Sequence, residues 1–114
     1  MDKITTNDQE VITTLRAVVA ERPDYVYTNP FPDDAGTCRY VHGDTPGCLV
    51  GHVLHRLGVP LEELSRHEGK NACSVAADLL DGISSDASWA IEHAQFRQDL
   101  GDTWAEALKA AGQA

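Results

Sequence analysis

Apolar residues recur at three- and four-residue intervals in several separate segments of this chain. In the first segment they fall within roughly 100° of arc when they are placed on a helical wheel, which is typical of a core-facing stripe. These residues are Val11, Ile12, Leu15, Val18 and Val19. The stripe predicts helix 1 over residues 7–21, beginning at a capping box of Thr6 and Gln9 and ending before Pro23.

The same spacing, read together with start and stop residues, predicts the remaining helices. Helix 2 is expected over residues 46–57, with Thr45 as N-cap, a short helix over residues 60–69, and another over residues 71–82. The last helical pattern has Ser85 as its N-cap and continues to Ala111, and Thr103 and Glu106 form a second capping box within it. Because Gly101 interrupts this pattern, a kink or a break there is expected as readily as a continuous helix.

Two segments between helix 1 and helix 2 are rich in β-branched and aromatic residues. Residues 25–28 and residues 38–42 are expected to form short strands that pair as a hairpin. Two short strands are marginal alone, so this hairpin has to lean on helices. The sequence therefore predicts a mainly α fold of four to six helices, with a short two-stranded β-hairpin between helix 1 and helix 2, in a single domain over residues 1–114.

The last helix carries the large aromatic residues of the C-terminal part of the chain. One stripe on it contains Trp89, Phe96, Leu100, Trp104, Ala107, Leu108 and Ala111. An apolar stripe of this kind usually faces the core, and we expect His93 on the same side to be partly buried. If the stripe were exposed, it would instead mark a dimer interface.

The charge of the chain excludes some partners and favours others. Eighteen acidic and nine basic side chains give a formal charge of −9, and residues 78–114 alone carry seven acids and two bases. No basic stripe is present to neutralise phosphates, so direct nucleic-acid binding is not expected. No stretch approaches the roughly 18 apolar residues of a membrane span, and no export signal precedes the first helix. We expect a cytoplasmic protein, in which three cysteines would not form a disulfide framework.

The chemistry-bearing residues lie in one segment with the spacing Cys-x3-His-x5-Cys-x3-His. Cys48 and His52 are one turn apart on helix 2, where they and His55 share the face opposite the leucines and valines. Cysteine and histidine are zinc ligands, so Cys38, His42, Cys48 and His52 are a candidate zinc site. Two features oppose zinc: the Cys-x2-Cys knuckle is absent, and residues i and i+4 of a strand lie about 13 Å apart.

Two other interpretations of this segment remain open. Cys48, near the start of helix 2, could be a reactive thiolate with His52 as its base, which would make the protein a cysteine-dependent enzyme. Alternatively both cysteines are small buried hydrophobic residues, and Gly51 lets another backbone segment approach the helix. We favour the structural interpretation, because no third orienting group or oxyanion donor set can be identified.

Residues 38–59 resemble a group of small uncharacterised proteins from actinobacteriophages and their actinobacterial hosts. The pattern of that group is Cys-x-Tyr, a short loop, and Pro-x-Cys-Leu-Val-Gly-x-x-Leu-x-x-Leu-Gly, which includes Tyr40, Pro46 and Gly51 of this chain. The resemblance implies a phage-type accessory protein that acts in the bacterial cytoplasm. It also singles out these three residues as part of a structural motif at the junction of the hairpin and helix 2.

These observations lead to one expected function and one alternative. We expect a non-enzymatic accessory protein that binds a host or phage protein and needs no cofactor. The alternative is a small zinc-stabilised module, for which elemental analysis would find about one zinc per chain.

Overall fold

The computed structural model describes residues 1–28 and 39–113. Within these ranges the chain forms six helices and four two-residue strands. The helices are α1 (Asp8–Glu21), α2 (Leu49–Arg56), α3 (Leu61–Ser65), α4 (Ala72–Leu79), α5 (Ser85–Asp99) and α6 (Trp104–Ala110), and the strands are β1 (Ile4–Thr5), β2 (Val41–His42), β3 (Thr45–Pro46) and β4 (Leu80–Asp81). The expected mainly α fold, with a two-stranded antiparallel hairpin between α1 and α2, is confirmed.

Side-chain caps fix where the helices begin. The amide oxygen of Asn7 accepts a hydrogen bond of 2.8 Å from the backbone of α1, and Asn71 accepts one of 2.9 Å from α4. The expected cap at Asn71 is therefore confirmed, whereas the capping box expected at Thr6 is wrong by one residue. The physical reason is that Thr6 is still extended, since its N–H donates to the carbonyl oxygen of Asp81 at 2.9 Å.

The hairpin is formed by different strands from those expected. β2 pairs with β3, which follows it directly through a tight turn where Gly43 has a φ of 66°. The expected partner, residues 25–28, contributes an isolated bridge from Val26 to Thr103 of the C-terminal part. Pairing of neighbouring segments closes the shorter loop, and glycine supplies the positive φ that such a turn requires.

The pairing of β3 also moves the start of the second helix. Thr45 and Pro46, expected as N-cap and first helical residue, lie in β3, so α2 begins at Leu49 with Cys48 as its N-cap. The helix is eight residues long, shorter than the expected span of residues 46–57. The expectation was wrong because proline fits the first turn of a helix and the end of an edge strand equally well.

A parallel pair of strands that the sequence does not predict joins the N-terminus to the end of α4. Ile4 of β1 is in register with Leu80 of β4. The helix expected to continue to Gly82 consequently ends at Leu79. Gly82 has a φ of 97°, and a Cβ atom there would lie 2.3 Å from the carbonyl oxygen of Thr6, so the crossing of the two segments requires glycine.

Buried apolar side chains from all six helices form one core cluster. α2 packs against α1 and α5, and its fully buried residues are Leu49, Val50, Val53 and Leu54. The expected anchoring of helix 2 through leucines and valines is thus present. Every helix of the described chain is too short or too polar to traverse a lipid bilayer.

The last helical pattern is divided into two helices. α5 begins after Ser84, one residue before the expected N-cap, and ends at Asp99. Gly101 adopts a φ of 101°, so the interruption expected there is a true break. The capping box of Thr103 and Glu106 then starts α6, as the sequence predicts.

Candidate functional site

The structure buries Cys48, whose thiol was expected to lie on the face of α2 opposite the core. Cys48 is 0% exposed, because it is the N-cap of α2 and that end of the helix is covered by other elements. Its N–H donates to the carbonyl oxygen of Arg39 at 3.0 Å. The orientation away from the core that the helical wheel predicts for this thiol is therefore wrong, whereas the burial of Cys48 agrees with the structural interpretation that we favoured.

Two glutamines of α5 cover the start of α2. The amide oxygens of Gln98 and Gln95 accept hydrogen bonds from the backbone of Leu49 and Val50 at 2.9 and 3.0 Å. The first N–H groups of a helix have no partner within that helix, so a buried helix start needs acceptors of this kind. Both glutamines are buried. Helical periodicity does not predict this role, because it assigns a polar residue such as glutamine to the surface of the helix.

The histidines of the motif segment have separate neighbours. His52 packs against Trp104 with ring centroids 5.4 Å apart, and burial lowers the pKa of His52 to about 4. His42 lies 2.7 Å from the hydroxyl of Tyr27, and burial also lowers the pKa of His42. The Nδ1 atom of His55 lies 2.9 Å from the carbonyl oxygen of Val59, just beyond the end of α2.

The candidate zinc ligands are only partly covered by the structure. Within residues 1–28 and 39–113, no group of three or more His, Cys, Asp or Glu side chains is arranged to hold a metal ion. His42, Cys48 and His52 therefore do not converge as a set of three. The fourth candidate, Cys38, lies outside the described residues.

Close contact with the backbone of Tyr40 accounts for the glycine inside α2. A Cβ atom at Gly51 would lie 2.4 Å from the carbonyl oxygen of Tyr40. Tyr40 itself is 1% exposed and donates from its hydroxyl to the carbonyl oxygen of Lys70 at 2.5 Å. Pro46, the third residue of the motif, is half-buried in β3. These contacts hold the hairpin, α2 and the loop before α4 together.

The aromatic side chains of α5, and that of Leu100 just after it, lie on the solvent side of the helix. Trp89 is 54% exposed, Phe96 53% and Leu100 60%, whereas Trp104 of α6 is 1% exposed. The expectation of one core stripe is thus wrong for α5 and right for α6. The buried residues of α5 are Ala87, Ala90, Ile91, Ala94, Gln95 and Gln98. Small residues let α5 pack closely on the core, so its aromatic residues are left on the opposite side.

The aromatic side chains of this outer face contact one another. The rings of Trp89 and His93 are stacked, with centroids 4.7 Å apart and an interplanar angle of 8°. The rings of His93 and Phe96 are tilted by 32° at a centroid distance of 6.2 Å. We call the residues Trp89, His93, Phe96 and Leu100 the aromatic ridge.

A cavity of about 400 Å³ lies beside the aromatic ridge, between α5 and the loop that precedes α4. This volume is within the range of small-ligand and side-chain pockets. The lining residues are Tyr40, Gly69, Lys70, Asn71, Ala72, Trp89, Glu92, His93, Gln95, Phe96 and Asp99. We call this cavity the α5 pocket.

Two carboxyl groups belong to the α5 pocket. Glu92 accepts hydrogen bonds from the thiol of Cys73 at 3.1 Å and, more weakly, from its N–H at 3.4 Å. Asp99 accepts one from the amide of Gln98 at 2.7 Å. Although Asp99 as a whole residue is exposed, burial of its carboxyl raises the pKa of Asp99 to about 6. Burial, and then the contact with Glu92, raises the pKa of the Cys73 thiol to about 11.

The ridge and the pocket together form a surface that combines exposed aromatic side chains with two acidic residues and one lysine. Exposed aromatic residues beside a pocket are typical of sites that bind another protein. By contrast, the Cys/His segment contributes to the packing of the hairpin on α2. No known protein family, curated protein or solved structure matches this chain.

Proposed function

We propose that this chain is a non-enzymatic accessory protein that binds another protein through the aromatic ridge and the α5 pocket. The observation that carries this proposal is the exposure of Trp89 and Phe96, each more than half open to solvent next to a cavity. Exposed aromatic residues around a pocket supply much of the binding energy in protein interfaces. The surrounding polar residues would form the rim of such an interface.

The two thiols within the described residues, and His52, support a role without catalysis. A nucleophilic cysteine must be accessible and largely ionised, yet Cys48 is fully buried. Cys73 is partly exposed, but its raised pKa of about 11 keeps it protonated at neutral pH. His52, with a pKa of about 4, would bind protons weakly at neutral pH and would be a poor base.

Charge supports a partner other than a second copy of this chain. Each chain carries a formal charge of −9, and the region from residue 78 onward holds seven of its eighteen acids. Two such surfaces would repel each other on approach, whereas a basic surface would be attracted. The resemblance of residues 38–59 to actinobacteriophage proteins suggests that the partner is a host or phage protein in the bacterial cytoplasm.

A capture experiment with paired variants tests this proposal. The tagged protein, its W89S/F96S variant and a V26S control would each be incubated with actinobacterial lysate, with the tag at either terminus in turn. Val26 is 45% exposed and lies outside the ridge, so V26S removes a comparable apolar side chain elsewhere. We expect the wild type and V26S to retain the same partner and W89S/F96S to lose it.

Three results would contradict the proposal. The first is that no protein is retained by the wild type, and the second is that all three baits retain the same proteins equally. The third is a wild-type dimer in light scattering that W89S/F96S abolishes, since the ridge would then bind a second copy of the chain. Circular dichroism of the variants checks that the fold is kept.

A further inference from the structure

We propose that the α5 pocket receives an arginine side chain of the partner, with its guanidinium group against Trp89 and Phe96 and between the carboxyl groups of Glu92 and Asp99. This inference rests on the proposed function, because it specifies which side chain of the partner occupies the same surface. It follows from three properties of the pocket: acidic residues without an ion pair, aromatic walls and the spacing of the acidic residues.

The two acidic residues of the pocket pair with no cation of the described chain, although Lys70 lines the same cavity. Glu92 and Asp99 form no ion pair with residues 1–28 or 39–113. Lys70 of the pocket and Arg97 of α5 each pair with an acidic residue that does not line the cavity. Arg97 pairs with Asp102 at 2.8 Å, and the ammonium of Lys70 lies 3.4 Å from Asp78, which does not line the pocket. A cation from outside the chain would therefore complete the site.

The aromatic walls favour a cation over a neutral group. The faces of tryptophan and phenylalanine rings attract cations within about 6 Å of their centroids. Arginine suits this site better than lysine, because its planar guanidinium stacks on rings while its N–H groups bind carboxylates in pairs. The ring of Trp89 is stacked on that of His93, and this contact restricts the orientations of the indole before a cation binds.

The spacing of the two acidic residues along α5 suits a guanidinium group that lies between them. Glu92 and Asp99 are seven residues apart on α5, which places their Cα atoms about 10.5 Å apart along the helix axis at the usual rise. Gln95 lies between them and lines the same cavity. A guanidinium group bound against the rings between these two positions would thus lie within reach of both carboxyl groups.

The protonation of Asp99 predicts that binding of the arginine side chain depends on pH. Its pKa is about 6 because burial disfavours the charged form, and a bound guanidinium would favour that form. Binding should therefore weaken as the pH falls through this value. The other titratable groups that line the pocket are Tyr40, Lys70, Glu92 and His93.

A minimal probe tests the inference directly. The peptide acetyl-Gly-Arg-Gly-amide would be titrated into the full chain at neutral pH, in parallel with peptides in which arginine is replaced by lysine or by the neutral isostere citrulline. Backbone and indole NMR signals report where each peptide binds. We expect arginine to shift the signals of Trp89 and Phe96, and to bind about tenfold more tightly than citrulline and a few-fold more tightly than lysine.

Charge variants complete the test. D99N and E92Q keep the size of each side chain, and each should weaken binding of the arginine peptide about fivefold or more. D86N removes an exposed acid of α5 that does not line the pocket, so it should leave binding nearly unchanged. D99N should also flatten the fall in affinity below neutral pH, which a purely structural role for Asp99 would not produce.

The results separate this inference from the proposed function. If citrulline binds as tightly as arginine, or if shifts occur away from the pocket, the arginine site is wrong. If W89S/F96S loses the captured partner while D99N and E92Q retain it fully, the ridge binds a protein but not through a cation. If none of these variants affects capture, both proposals fail.

Discussion

α2 and the outer face of α5 differ in solvent exposure, and the difference is the opposite of what their sequences predict. α2 belongs to the segment with two cysteines and several histidines, yet its Cys48, Leu49, Val50, Val53 and Leu54 are all 0% exposed. The outer face of α5 has few reactive groups, yet it exposes two large aromatic residues and lines a cavity. Residue type indicates what a side chain can do, whereas packing decides whether a partner can reach it.

Hydrogen bonds between the two helices explain this difference in exposure. Gln95 and Gln98 turn toward the first N–H groups of α2, and that orientation places Trp89 and Phe96 on the solvent side. Burial of the start of α2 thus requires the inner face of α5 to be partly polar. The aromatic residues of α5 are exposed as a consequence of this arrangement.

The same substitution in both regions should give the largest contrast. Leu54 is fully buried on α2, and L54A should lower the free energy of unfolding by about 3 kcal/mol, because it leaves a cavity in the core. Leu100 is 60% exposed at the end of α5, and L100A should change the free energy of unfolding by less than about 0.5 kcal/mol. Urea unfolding of the two variants measures both values. Equal losses would mean that Leu100 is packed in the native protein.

The rates at which an alkylating reagent labels Cys48 and Cys73 should also differ between the two regions. Cys73 lies on α4 beside α5, and the rise of its pKa from 9.0 to about 11 implies about hundredfold less thiolate than in the unfolded chain. We expect its labelling to slow accordingly, and E92Q to restore part of the rate. Cys48 should react only when the fold opens. Peptide mapping identifies each site, and fast labelling of native Cys48 would favour the cysteine-enzyme alternative.

Two glycine substitutions test the packing of α2 on the hairpin. G51A should cost about 2 to 3 kcal/mol of stability, because its Cβ atom would lie 2.4 Å from a backbone oxygen of Tyr40 that cannot move alone. G69A has open space around it and a φ of 85°, so only conformational strain of about 1 kcal/mol is expected. Thermal unfolding compares them. A smaller loss for G51A than for G69A would contradict the close approach of Tyr40.

The smallest effect concerns Asp99 on α5. Its pKa of about 6 lies above the model-compound value of 3.8, so the native state takes up a proton before the unfolded state as the pH falls. The ionised carboxyl therefore destabilises the native state above about pH 6. D99N should be more stable than the wild type near neutral pH, by less than about 1 kcal/mol because the residue is exposed, and this gain should disappear toward pH 4. A constant difference across this range would show that Asp99 is fully hydrated.

The helices and two of their N-caps were predictable, because they depend on local patterns, whereas the N-caps expected at Thr6, Thr45 and Ser85 were wrong. Thr103 and Glu106 form the expected capping box, Asn71 caps α4, and the pattern breaks at Gly101. Leucines and valines also anchor α2 in the core, as the sequence predicts. These features depend on residues within a few positions of one another, so the sequence carries the information directly.

The long-range features were not predictable from one sequence. The pairing of Ile4 with Leu80 joins segments far apart in the chain, and two-residue strands have no periodicity to detect. The exposure of Trp89 was missed because hydrophobicity assigns the largest apolar residues to the core. The polar bonds that turn Gln95 and Gln98 inward outweigh that preference, and they are formed with α2, more than forty positions earlier.

Fluorescence of the two tryptophans gives a direct measure of the contrast between core and outer face. W104F retains only Trp89, which is 54% exposed, and W89F retains only Trp104, which is 1% exposed. Acrylamide should quench Trp89 strongly, with red-shifted emission, and should quench Trp104 weakly, with blue-shifted emission. Weak quenching of Trp89 at every protein concentration would place the aromatic ridge in the core and contradict the proposed binding surface.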